Sequence, residues 1–136
     1  MKFIVIIFTV TLFVSCKTSE RKISPELQSS INFGAEIYQN FCINCHMADG
    51  LGVKEVFPPL ANSDYLKTNL NQSIIGIKLG MNKQITVNGK TYDNVMPPMG
   101  LTNKEVADVT NYILNSWGNN SDTLITEQEV LKILPK

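Results

Sequence analysis

Cys42-Ile43-Asn44-Cys45-His46 places two thiols and an imidazole within five residues, and nothing else in the chain restricts its fold as tightly. If this backbone is one helical turn, positions 42, 45 and 46 stand at i, i+3 and i+4 and share a face. Three chemistries use a Cys-x-x-Cys core. A redox dithiol of the thioredoxin kind sits in a βαβ context, and no strand pattern precedes Cys42. A zinc site needs two further ligands, yet His46 is the sole histidine and the only other cysteine, Cys16, ends a separate apolar segment. With histidine directly after the second cysteine, the spacing is that of c-type haem attachment. There the sulfurs add across the porphyrin's vinyl groups and the imidazole reaches the iron. Haem attachment is the leading reading, with dithiol and metal site as its rivals.

The N-terminus carries a second signal. Lys2 precedes an apolar run over residues 3–14 that is short beside the ~20 residues of a bilayer-spanning helix, so it reads as an export signal. Leu12-Phe13-Val14-Ser15-Cys16 resembles a bacterial lipobox, with Phe13 where leucine is usual. In such segments the cysteine is lipidated and becomes the mature N-terminus. Ordinary cleavage nearby, releasing the protein into the periplasm, is the alternative. The three cysteines are then assigned: Cys16 to lipid, Cys42 and Cys45 to haem, none to a disulfide.

Removal of residues 1–15 leaves 121 residues, enough for one domain. Residues 16–30 are polar and contain Pro25, so a lipidated N-terminus followed by a tether is expected. The cytochrome-like domain is expected over residues 31–119, with 120–136 as an extension carrying a short helix. Cleavage takes only Lys2 from the 12 basic side chains, leaving 11 against 12 acidic ones and a net charge of −1. No basic stripe suggests nucleic acid. Lysines 67, 78, 83, 90 and 104 face only Asp64 and Asp93 in the middle of the chain, whereas acids dominate from Glu105 onward. Such scatter is ordinarily a solvated surface, and a docking role for the lysine-bearing middle is the alternative.

Apolar periodicity predicts a helix over residues 31–45, where Gly34 would let another helix approach closely. Short helices are expected over 63–67 and 70–79, the second stopped by Gly80. Residues 84–93 change to a period of two around Asn88-Gly89, the signature of a tight hairpin. Thr102-Asn103-Lys104-Glu105 and Thr126-Glu127-Gln128-Glu129 are capping boxes, opening helices to about residues 117 and 134.

A haem iron held by one histidine leaves an axial position that decides its use. With His46 taken, the candidates are the thioethers of Met81, Met96 and Met99; Met47 adjoins His46 and is badly placed to reach the opposite face. Met96 is preferred because Pro97 holds it extended and Pro98 stiffens the loop further. Met81 and Met99 are expected as core filler.

The succession of helix, Cys-x-x-Cys-His, Pro58-Pro59-Leu60, Met96-Pro97 and C-terminal helix resembles a class I c-type cytochrome of the bacterial monohaem kind. The resemblance implies a mostly α cytochrome c fold, with crossing terminal helices, short helices around one covalent haem c, and here a small β-hairpin insertion. It implies that the Pro58 carbonyl accepts the His46 Nδ1–H, and that Gly34 and Tyr38 meet Val109 and Tyr112 where the terminal helices cross. It implies a single-electron carrier and not an enzyme, lipid-anchored at the periplasmic face and working with a membrane dehydrogenase, reductase or oxidase; a monomer is favoured. Related domains occur both free and as subunits of larger complexes, so an electron-entry subunit is the alternative to a free shuttle. A haem enzyme or ligand sensor with a labile sixth position is the weaker rival, since no second histidine or carboxylate pair offers acid–base chemistry.

Overall fold

The computed structural model describes residues 23–135, so the apolar N-terminal segment and Cys16 lie outside it. Ser24 caps the first helix by accepting from the Leu27 amide, and Pro25 occupies its first turn, so α1 runs Pro25–Phe41. It begins six residues before the start that apolar periodicity suggests. Leu27 and Ser30, expected in a tether, are buried. At Cys42 φ widens to −114° and the chain restarts as α2, Ile43–His46, so the expected single helix is two.

The remaining elements are α3 (Asp64–Thr68), α4 (Leu70–Leu79), the antiparallel pair β1 (Ile85–Val87) and β2 (Lys90–Tyr92), α5 (Asn103–Ile113) and α6 (Glu127–Ile133). Ile85 pairs with Tyr92 and Val87 with Lys90 around the Asn88-Gly89 turn, both turn residues having positive φ. Both capping boxes form: the Thr102 and Thr126 hydroxyls accept from the amides of Glu105 and Glu129, whose carboxylates accept the cap amides in return. α5 stops at Ile113, short of the expected 117, and residues 114–118 continue as turns.

The mostly helical fold is organised by α1 against α5. A Cβ on Gly34 would lie 2.1 Å from the Asp108 carbonyl oxygen and 2.7 Å from Tyr112 Cβ, so only glycine admits this crossing. Beside it Tyr38, Tyr112 and Trp117 form an aromatic trio with centroids 4.9–5.4 Å apart. Val106, Val109, Ile113, Leu66 and Ile74 continue the core toward α3 and α4. Ile125 and Val130 are buried as well, so residues beyond the crossing helix pack into the same core. Asn111, fully buried, fastens them: its amide donates to Ile125 O (2.8 Å) and Ser30 Oγ (2.9 Å), and its Oδ1 accepts from Ile125 N (2.9 Å).

Candidate functional site

The five-residue motif is one helical turn: Cys45 and His46 amides both donate to the Cys42 carbonyl, at 3.2 and 2.9 Å. The turn thus brings Cys42, Cys45 and His46 to one wall of a cleft. Neither Cys42 nor Cys45 is engaged in a disulfide. Burial, and then the neighbouring Cys45, push the Cys42 thiol up to about 11. An unmodified thiol there stays protonated at neutral pH.

His46 is buried, and its Nδ1 lies 2.9 Å from the Pro58 carbonyl oxygen. A carbonyl can only accept, so the proton sits on Nδ1 and the Nε2 lone pair is left available. Desolvation lowers the His46 pKa and disfavours the charged imidazolium, partly opposed by the Pro58 bond, which acts in the raising direction. Two contacts that the sequence did not announce hold this turn. Tyr38 donates its hydroxyl to the Met47 carbonyl at 2.7 Å, and burial raises its pKa so that it remains a donor. Gly52 donates to His46 O at 3.0 Å, and a Cβ at this left-handed residue would lie 2.3 Å from Phe57 O and 2.7 Å from Pro58 O. Glycine at 52 therefore lets the loop carrying the Pro58 acceptor close on His46.

The cleft encloses about 1210 Å³, its open mouth included. Its walls are apolar: Leu66 of α3, Ile77 of α4, and Val109 and Ile113 of α5, with Tyr92 from the hairpin. Met81, Met96 and Met99 all line it, and Met47 does not. The three differ in what restrains them. Met99 packs against the main core, as expected of a filler. Met81, also expected as filler, packs its methyl toward Gly76 and exchanges two 2.8 Å backbone hydrogen bonds with Met96. Met96 is held through its backbone.

Such a space, dry-walled and offering two sulfurs, one imidazole nitrogen and thioethers, fits a porphyrin attached through two thioethers. Among the described residues, no group of three or more His, Cys, Asp or Glu side chains gathers where it could hold a metal ion. Three of the five mid-chain lysines are engaged internally: Lys78 donates to the Leu101 carbonyl, Lys83 donates to Gln72 Oε1 at 3.4 Å, and Lys104 pairs with Asp108 at 2.8 Å.

The cytochrome c family profile matches residues 31–117. The cytochrome c subunit of the quinone alcohol dehydrogenase of Gluconobacter oxydans (strain 621H) is 33% identical over 104 residues, covering 75% of this chain and 22% of that subunit. Cytochrome c-552 of Thermus thermophilus is 33% identical over 112 residues, covering 76% of this chain and 85% of that protein. The fructose dehydrogenase cytochrome subunit of Gluconobacter japonicus is 30% identical over 98 residues, covering 67% of this chain and 20% of that subunit. The chain thus spans about a fifth of the length of the dehydrogenase subunits it matches. With a cleft built for a covalent porphyrin and a family match across both crossing helices, the chain belongs to the cytochrome c family: a class I-like, electron-transferring c-type cytochrome domain whose cofactor is covalently bound haem c.

Proposed function

We propose that this domain relays single electrons as the haem-bearing part of a larger membrane dehydrogenase, reductase or oxidase complex. One haem c would be held through thioether bonds to Cys42 and Cys45, with His46 Nε2 and the Met96 sulfur as the groups that would bind its iron. When bound, the haem supplies the one-electron chemistry. The protein's contributions are distinct from it. The Pro58 carbonyl fixes the His46 tautomer and strengthens the imidazole as a donor. The apolar walls keep water from the cleft, and a thioether ligand raises the reduction potential.

The cleft geometry carries the electron-transfer reading, above all the motif turn with His46 Nδ1 already bonded. The complex-subunit reading draws on relatives named as cytochrome subunits of alcohol, fructose and gluconate dehydrogenases. It displaces the free shuttle as the preferred role. The shuttle stays as a second reading because 85% of cytochrome c-552 is covered by the match.

Export and lipidation at Cys16 complete the proposal. No helix among the described residues is long and apolar enough to cross a membrane. Because α1 begins at Pro25, Cys16 and Ser24 are eight residue steps apart, at most about 28 Å when fully extended. A lipid on Cys16 would hold the domain close to the bilayer and to partners fixed there, raising their effective concentration.

The test uses the mature protein from cells competent in cytochrome maturation. A haemochrome spectrum of thioether-linked haem is expected, and a colourless product would end the proposal. Purification from native membranes should bring down a dehydrogenase, reductase or oxidase in fixed ratio. Recovery as a lone haemoprotein would return the free shuttle.

A further inference from the structure

The end of α4 is joined to the Met96 loop by four contacts that never enter the cleft's chemistry. Gly80 ends α4 in a left-handed conformation with φ +80°, and a Cβ there would lie 2.7 Å from Met96 O and 2.9 Å from Pro98 N. The loop backbone thus rests directly on a glycine. Met81, the next residue, exchanges both backbone hydrogen bonds with Met96, at 2.8 Å each. In an antiparallel pair of this type the two side chains leave the same face, consistent with both lining the cleft. A Cβ on Gly76, one turn back, would lie 2.7 Å from Met81 Cε, so the absent side chain makes a notch for the Met81 methyl. Lys78 donates to the Leu101 carbonyl and fixes the far end of the same loop.

Pro97 and Pro98 carry no amide hydrogen, so the two residues after Met96 can donate nothing to hold themselves. The loop's position therefore comes from outside it. Asn94 secures the preceding side through a 2.9 Å bond to the Val56 carbonyl, and α4 secures the rest.

We infer that Gly76, Gly80 and Met81 form a cradle that positions the Met96 sulfur, making them positioning residues for the sixth iron ligand. Met81 is the anchor and not a reserve ligand, because its methyl is committed to the Gly76 notch. The inference rests on Met96 as the axial ligand. Its physical content is steric. Moving the Gly80 contact shifts Met96 bodily, and overpacking of this kind shifts an equilibrium between closed and open loop by roughly tenfold or more.

The experiment compares ferric holoprotein variants by the thioether-to-iron charge-transfer band, the rate of azide binding and the reduction potential. Gly80→Ala should weaken or abolish the band, accelerate azide binding by roughly tenfold or more and lower the potential. Met81→Ala should do the same to a smaller extent, and Met81→Leu, which refills the notch without sulfur, should restore the band. Gly76→Ala meets only the end of a flexible side chain and should have the smallest effect. Gly89→Ala is the control: it imposes left-handed strain at φ +74°, with nothing within 4 Å of the new Cβ. It should lose stability and leave all three readouts unchanged.

Should Gly80→Ala fail to fold, the Met81 pair carries the test alone. An intact band and unchanged azide kinetics in Met81→Ala would overturn the cradle. If Met96→Ala itself keeps the band, the ligand assignment falls and the cradle falls with it. If Met96→Ala loses the band while Gly80→Ala and Met81→Ala keep it, the ligand stands and only the cradle is overturned.

Discussion

The two walls of the cleft are built in opposite ways. On the His46 side, the groups proposed to meet the cofactor come from one helical turn, and their spacing is settled by local backbone bonds to Cys42. On the Met96 side the proposed sulfur sits in a loop with two prolines, positioned by the end of α4 and by Val56 through Asn94. Local construction makes attachment robust to changes elsewhere. Assembly from separated segments would make the proposed sixth position adjustable, since a substitution at the end of α4 would alter the grip on the Met96 sulfur without touching iron. Both sides nonetheless share a device: a left-handed glycine pressed on a backbone carbonyl, Gly52 beneath Pro58 and Gly80 beneath Met96.

The largest expected effect is at the local wall. Replacing Cys42 and Cys45 together by serine should abolish covalent attachment, leaving haem extractable by acidified organic solvent or missing altogether. Retention of covalent haem would break the comparison at its root. Next comes Gly52→Ala, whose Cβ would crowd the Phe57 and Pro58 carbonyls. It should destabilise the fold by about 3 kcal/mol in denaturant titration. The charge-transfer band should persist, because covalent sulfurs hold His46 in place. Loss of that band would show the two walls to be equally fragile.

Asn111→Ala probes neither wall. It strips partners from Ser30 and from both backbone groups of Ile125, and should cost about 2 kcal/mol with an unchanged spectrum. The smallest effect is at the cap that starts α5, just after the Met96 loop. Thr102→Ala should cost about 1 kcal/mol. The Thr102 amide and hydroxyl hold the Glu105 carboxyl below its usual range. Its stabilisation is therefore present above the ordinary glutamate pKa and is lost as pH falls through the lowered one. Glu105→Gln should flatten that acid limb in thermal melts followed against pH.

Much of this was legible in the chain because it depends on near neighbours. The motif turn, the Asn88-Gly89 hairpin, both capping boxes and the Gly80 stop are set within four residues or so of each other. Gly34 was also readable, since glycine within a helical period implies a close neighbour. The start of α1 was misjudged although Ser24-Pro25-Glu26 carries cap and first-turn signals. Residues 25–30 look like tether because the partners of Ser30, Asp108 and Asn111, lie on α5 some 80 positions away. The Met81–Met96 pairing and the close approach at Gly52 are hidden in the sequence for the same reason. Both exist only once the chain brings residue 96 beside 81, and 58 beside 52. The packing of Ile125 and Val130 into the core likewise needed three dimensions.

The most direct measurement is the ferric charge-transfer band in the mature holoprotein beside its Met96→Ala and Met99→Ala variants. An axial pair of His46 and Met96 predicts the band in the parent and in Met99→Ala, with none in Met96→Ala. A band that survives in Met96→Ala, or a parent protein without one that binds azide at once, would contradict it.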